Sequence, residues 1–227
     1  MFRTLLPRFH ELKGCISDPC ARNAYFHGFE DLLQDDVCLE VFRRWEKELQ
    51  GLDDDAWSYL KGKASRYLET TNPHGRWWEQ LFDSLGEAPA YNHLKESVGC
   101  SAVRFIPESA KSTPDLEGFL DSGRILCEVK TINRSDKEIE GRSRPKPRVR
   151  KVPVNLDGCF FRKLDSTILK AKDQLRAYDT SGDARHLVYI NICFDWGPCY
   201  TNDYIRQVAQ HLSEHPPGVE VEFKIGH

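Results

Sequence analysis

Two short runs in this chain carry residue types that do chemistry on phosphate: Pro114-Asp115 and, after twelve intervening residues, Glu128-Val129-Lys130. Side chains alternate across a strand, so Glu128 and Lys130 share one face while Val129 points to the other. If the segments around Asp115 and Glu128 pair as a hairpin, two carboxylates and an ammonium converge at one end of a sheet. Hard oxygen donors of this kind suit Mg²⁺ or Mn²⁺, which keep several waters and need few protein ligands. An ion held there polarises a phosphate and lowers the pKa of a bound water. Lys130 would orient that water and offset charge on the phosphorane during in-line attack on a phosphodiester.

The chain holds two other E-x-K triplets, Glu11-Lys13 and Glu222-Lys224. Only the middle one has a Pro-Asp upstream, sits inside the apolar run Ile125, Leu126, Cys127, Val129, and follows the hairpin signal Ser122-Gly123. The plain alternative is a surface strand carrying a Glu-Lys pair.

The elements that must position these residues follow from periodicity. Apolar residues at three- and four-residue intervals predict a helix over 29–50. Asp53 to Asp55 place negative charge at the start of a second helix running to about Tyr67. A third helix spans 76–86, and a short helical piece covers 91–99. After Gly99 the pattern changes to three strands, 102–108, 115–123 and 124–132, with Asp115 opening the second. Pro145, Pro147 and Pro153 make the next segment a loop. A helix over 164–178, a buried strand over 186–194, a helix over 201–215 and an alternating strand over 219–225 complete the chain. The order β-β-β-α-β-α-β describes a mixed sheet flanked by helices. The expected division is a helical N-terminal extension, 1–75, followed by a core, 76–227.

Composition narrows the partners. The chain has 227 residues, 40% hydrophobic and 30% charged, so one domain with a packed core is expected rather than disorder. The net charge of -3 excludes a uniformly basic nucleic-acid coat. Arg142, Arg144, Lys146, Arg148, Arg150 and Lys151 nevertheless crowd one segment without an acid, and subtracting those six charges from -3 leaves -9 for the remainder. An extended Pro-containing loop with splayed cations is suited to a phosphate backbone. Lys163, Lys170 and Lys172 extend that patch if they face the same way. No apolar run reaches membrane-span length, so no membrane partner is expected. Nor is a signal peptide evident, and the eight cysteines, lacking any C-x-x-C pair, read as reduced thiols in the cytoplasm.

The order helix, three strands, helix, strand, with Pro-Asp and E-x-K on the second and third strands, resembles the PD-(D/E)XK nuclease superfamily over about residues 76 to 227. The resemblance implies an α/β fold, a restriction-endonuclease-like mixed β-sheet core of αβββαβ order. It implies Asp115 and Glu128 as metal ligands with the Val129 carbonyl assisting, Lys130 as the catalytic lysine, and Mg²⁺ or Mn²⁺ as cofactor. Glu79, in Trp78-Glu79-Gln80-Leu81, resembles the first-helix acid that completes the metal site, with Glu96 as the weaker choice. Gln174 and Tyr178, four apart on one helix face, are similar to the Q-x-x-x-Y pair of the RecB-like branch. The implied activity is metal-dependent hydrolysis of DNA, with RNA not excluded, and a homodimer if both strands of a duplex are cut. The alternative is a catalytically inactive nucleic-acid-binding or assembly protein of the same fold.

Overall fold

The computed structural model describes residues 2–69, 78–109, 112–133, 154–193 and 200–226. The segment holding Arg142, Arg144, Lys146, Arg148, Arg150 and Lys151 lies outside them. The chain divides into two compact units, Met1–Phe105 and Ile106–Gly226.

The first unit is helical: α1 (Phe2–Leu5), α2 (Pro7–Lys13), α3 (Phe29–Leu32), α4 (Asp36–Gln50), α5 (Asp54–Ser65), α6 (Glu79–Leu85), α7 (Glu87–Asn92) and a π-helical turn (His93–Ser97), followed by β1 (Ala102–Phe105). The single helix expected over 29–50 is two. Asp35 adopts an extended backbone and its carboxylate accepts the Cys38 N–H at 2.9 Å, which starts a new helix there. Asp53 caps α5 in the same way through the Ala56 N–H, at 2.9 Å. Two helices precede those expected from periodicity. Pro7 begins α2, where its missing N–H costs nothing. The next two amides, of Arg8 and Phe9, donate to the buried Glu46 carboxylate at 3.0 and 3.2 Å. Phe9, Phe29 and Phe42 meet edge-on or stacked at the centre of this unit.

The strands of the second unit form one mixed sheet. The second unit supplies β2 (Leu116–Leu120), β3 (Gly123–Ile132), α8 (Gly158–Tyr178), β4 (Arg185–Ile192), α9 (Thr201–Glu214) and β5 (Glu220–Ile225). β2 and β3 are antiparallel from Leu120↔Gly123 to Leu116↔Cys127. Gly123 follows the tight turn with φ 138°, a region open to glycine. β3, β4 and β5 run parallel. Parallel neighbours need crossovers, which α8 and α9 provide. Leu126 and Ile132 of β3 and Val188, Ile190 and Ile192 of β4 share one sheet face. They are buried with Leu164, Ile168, Ala171 and Leu175 of α8 and Val208 of α9. Helix α8 begins at Gly158, one turn and a half before the apolar periodicity suggested, because Asp157 accepts the Phe160 N–H at 2.8 Å.

The end of α8 is tied to the starts of β3 and β4 by one side chain. The Asp179 carboxylate, with no solvent exposure, accepts from Arg124 Nη2, Ser181 Oγ and the Ala184 N–H, each at 3.1 Å, and lies 3.0 Å from His186 Nε2. Burial opposes ionisation of Asp179, yet the Ala184 amide, His186, Ser181 and Arg124 together hold its pKa down at about 2.

Candidate functional site

Alternation along β3 puts Glu128 and Lys130 on the face that also carries Leu126 and Ile132, the face covered by α8. Glu128 is 1% exposed. Its Oε1 takes the Lys130 ammonium as an ion pair, and its Oε2 accepts from Gln174 Nε2 at 2.7 Å. Gln174 also donates to the Thr113 carbonyl at 2.8 Å, so one amide joins α8, β3 and the segment that leads into Asp115.

Asp115 lies one residue before β2 rather than within it. Its backbone N–H bonds the Cys127 carbonyl at 3.1 Å, and its carboxylate Oδ2 accepts the Val129 N–H at 2.8 Å. Asp115 thus brackets Glu128, touching the residue before it and the residue after. The N–H and C=O of a strand residue point to the same edge. The Val129 carbonyl therefore opens on the Asp115 side.

The electrostatics follow from this crowding. Burial first, and then the Asp115 charge, push the Glu128 pKa up to about 7, against the lowering effect of Lys130 and Gln174. The folded protein then binds a proton at Glu128 across the range from about pH 4.5 to 7 in which the unfolded chain has lost it. Stability from this group is complete below that range, falls as pH rises through it and is flat above. The loss reaches at most about 3 kcal/mol. Glu128→Gln, which cannot ionise, is expected to remove this decline. Urea unfolding in EDTA at pH 5 and pH 8 measures it, and an identical pH dependence in the two proteins would contradict it.

Asp115, Glu128, Val129, Lys130 and Gln174, all expected from sequence, come together within the second unit. Tyr178 closes α8 and is 38% exposed, and the hydrogen bonds that hold Glu128 run through Gln174 rather than through it. Glu79 is the first residue of α6 and Glu96 an exposed residue of the π-helical turn, both in the first unit. The Thr113 carbonyl was not foreseen. A backbone acceptor leaves no mark on residue type, so nothing in the sequence could have announced it.

Two carboxylates and a main-chain carbonyl form a hard oxygen set that fits Mg²⁺ or Mn²⁺ retaining several waters. Among the described residues no group of three or more His, Cys, Asp or Glu side chains is placed to share an ion. Among them, too, no helix is long and apolar enough to cross a membrane. Comparison of the chain with family models, with curated proteins and with solved structures gave no match.

Proposed function

We propose that the chain is a metal-dependent nuclease that hydrolyses DNA phosphodiester bonds in the cytoplasm, with a restriction-endonuclease-like core. One observation carries the reading. A carboxylate 1% exposed is held between an ammonium and an amide, while a second carboxylate is fastened to the amide of the very next residue. Concentrating negative charge in a low-dielectric site is costly and serves no packing need. It is the expected arrangement for binding a cation beside a phosphate. The β2–β3 hairpin followed by a helical crossover to a parallel strand supports the same reading.

In this reading Asp115, Glu128 and the Val129 carbonyl hold Mg²⁺ or Mn²⁺. The chemistry supplied by the bound ion is polarisation of a phosphoryl oxygen and acidification of a water. The chain's own residues do the rest. Gln174 fixes the Glu128 carboxylate by its Oε2 and anchors the segment at Thr113, so the two acids keep their spacing. Lys130, whose side chain is 32% exposed, presents its ammonium at the solvent margin of the site. There it orients the attacking water and offsets charge that develops on the phosphorane. The basic run Arg142–Lys151 serves the phosphate backbone, and a two-fold dimer would cut both strands of a duplex.

The test is cleavage of plasmid and linear DNA with Mg²⁺ or Mn²⁺. Wild type is expected to cut, and Asp115→Ala to lose at least ~100-fold in rate, the scale of losing a metal-site group. Equal rates would overturn the assignment. DNA retention with no divalent-ion binding by calorimetry would point to the inactive binding protein of the same fold.

A further inference from the structure

We infer that one side of α8 is the track on which a nucleic-acid strand lies as it leaves the Asp115–Glu128 centre. The inference deepens the nuclease reading and rests on it for the identity of the polymer. The ligand it assigns is the phosphodiester backbone itself, which DNA and RNA share.

The argument begins with helical phase. Lys163, Thr167, Lys170 and Gln174 follow one another at intervals of four, three and four residues in α8. At about 100° per residue they fall within a strip about 60° wide. The strip flanks the buried stripe Leu164, Ile168, Ala171 and Leu175, so it stays at the helix margin and not in the core. Lys163 and Lys170 are exposed and Thr167 is half-buried. Lys172 is on the opposite side of the helix, where its ammonium donates to the Pro217 carbonyl at 2.6 Å. Asp165 also turns away, with its Oδ1 2.8 Å from His211 Nε2. Within the strip itself every charge is positive.

Two hydrogen bonds then fix the strip against β3. At one end Gln174 reaches Glu128, and at the other Lys163 Nζ donates to the Asn133 carbonyl at 2.9 Å. Eleven helical residues rise about 16 Å and five strand residues span about the same. Helix and strand therefore run antiparallel and level with each other. Lys170 lies one turn from Gln174 as Lys130 lies two strand residues from Glu128, each about 6 Å along. Lys130, Lys170 and Lys163 accordingly form a file of ammonium groups that starts at the buried carboxylate and runs about 16 Å towards Asn133. At 3.4 Å per nucleotide that is the length of about five nucleotides of one duplex strand. A file of cations that begins at the acids is what a polyanion needs to bring a phosphate against two carboxylates that otherwise repel it.

The test uses the whole chain and reads binding without cleavage. Fluorescence anisotropy in EDTA follows labelled 20-nucleotide probes: duplex DNA, single-stranded DNA and single-stranded RNA. Lys163→Ala/Lys170→Ala is expected to weaken binding roughly tenfold or more, and to reduce the steepness of the salt dependence by about two for the duplex. Lys172→Ala, on the other side of the same helix, is expected to bind as wild type does. Alanine favours the helix, and Lys163→Arg/Lys170→Arg is expected to restore binding, which separates lost charge from lost structure. The probe held most tightly by wild type identifies the polymer. Unchanged affinity in the double alanine variant, equal weakening by Lys172→Ala, or no binding by wild type even at low salt would each overturn the track. These outcomes are read apart from catalysis. A charge-dependent track in a protein that cuts nothing would leave this inference standing and the nuclease reading refuted; cleavage with unchanged affinity would do the reverse.

Discussion

Asp179→Ala is expected to destabilise the second unit by about 3 to 5 kcal/mol, the cost of removing one member of a buried charged network. The carboxylate has four partners from three parts of the chain: Arg124 at the start of β3, Ser181 and the Ala184 amide in the turn after α8, and His186 at the start of β4. Truncation leaves the Ala184 amide and three cationic or polar side chains facing a void, so the loss exceeds that of a surface ion pair. Arg124 keeps a second carboxylate within reach, since its Nη1 lies 3.3 Å from Glu117, which moderates the cost. The pH dependence identifies the cause. The Asp179 pKa is depressed from 3.8 to about 2, so its stabilising contribution is complete above pH 4 and is lost as pH falls towards 2. That contribution is up to about 2 kcal/mol. Urea unfolding should therefore show a gap between wild type and Asp179→Ala that narrows in acid. A gap under 1 kcal/mol at pH 7 would mean that the turn after α8 closes without this carboxylate.

The parts of the architecture that a single sequence reveals are those set by local alternation and capping. The β2–β3 hairpin is legible because Ile125, Leu126 and Cys127 form an apolar run just before Glu128-Val129-Lys130 and a glycine marks the turn. The helix–strand order after β3 follows from the same periodicities. Long-range partners are not legible. The Glu46 carboxylate caps α2 from thirty-seven and thirty-eight residues away, so nothing in the local sequence marks Pro7 as the first residue of a helix. At the candidate site, residue type announced the charged groups Asp115, Glu128 and Lys130 and the polar amide of Gln174. It could not show that Asp115 bonds the Val129 amide or that Gln174 bridges to the Thr113 carbonyl, because main-chain groups are the same at every position. The lysines of α8 lie between these cases. Helical phase separates Lys163 and Lys170 from Lys172, but it takes the bonds from Gln174 to Glu128 and from Lys163 to Asn133 to say which side of the helix faces β3 and its acids.

Lys130→Ala is expected to lower DNA cleavage by about 10² to 10⁴-fold under the proposed nuclease reading, the usual range for a positioned proton-transfer or charge-stabilising group. Two separate effects contribute to the loss, and pH distinguishes them. The Lys130 ammonium pairs with Glu128 and favours its charged form. Without it, burial and the Asp115 charge act on Glu128 unopposed except by Gln174, so at neutral pH protons compete harder with the ion for this carboxylate. That part of the loss is recovered as pH rises and the competing proton is given up. The part due to the ammonium acting on water or on the phosphorane is not recovered. We expect raising the pH from 7 to 9 to restore about tenfold relative to wild type, and a deficit of tenfold or more to persist. Lys130→Arg is the complementary variant. A guanidinium still favours the charged form of Glu128 but presents a planar fork in place of a compact ammonium, so it should abolish the pH-dependent part and leave the rest. Full recovery of Lys130→Ala at high pH would reduce Lys130 to a positioning residue for Glu128. Cleavage by Lys130→Ala within threefold of wild type at pH 7 would remove it from the site altogether.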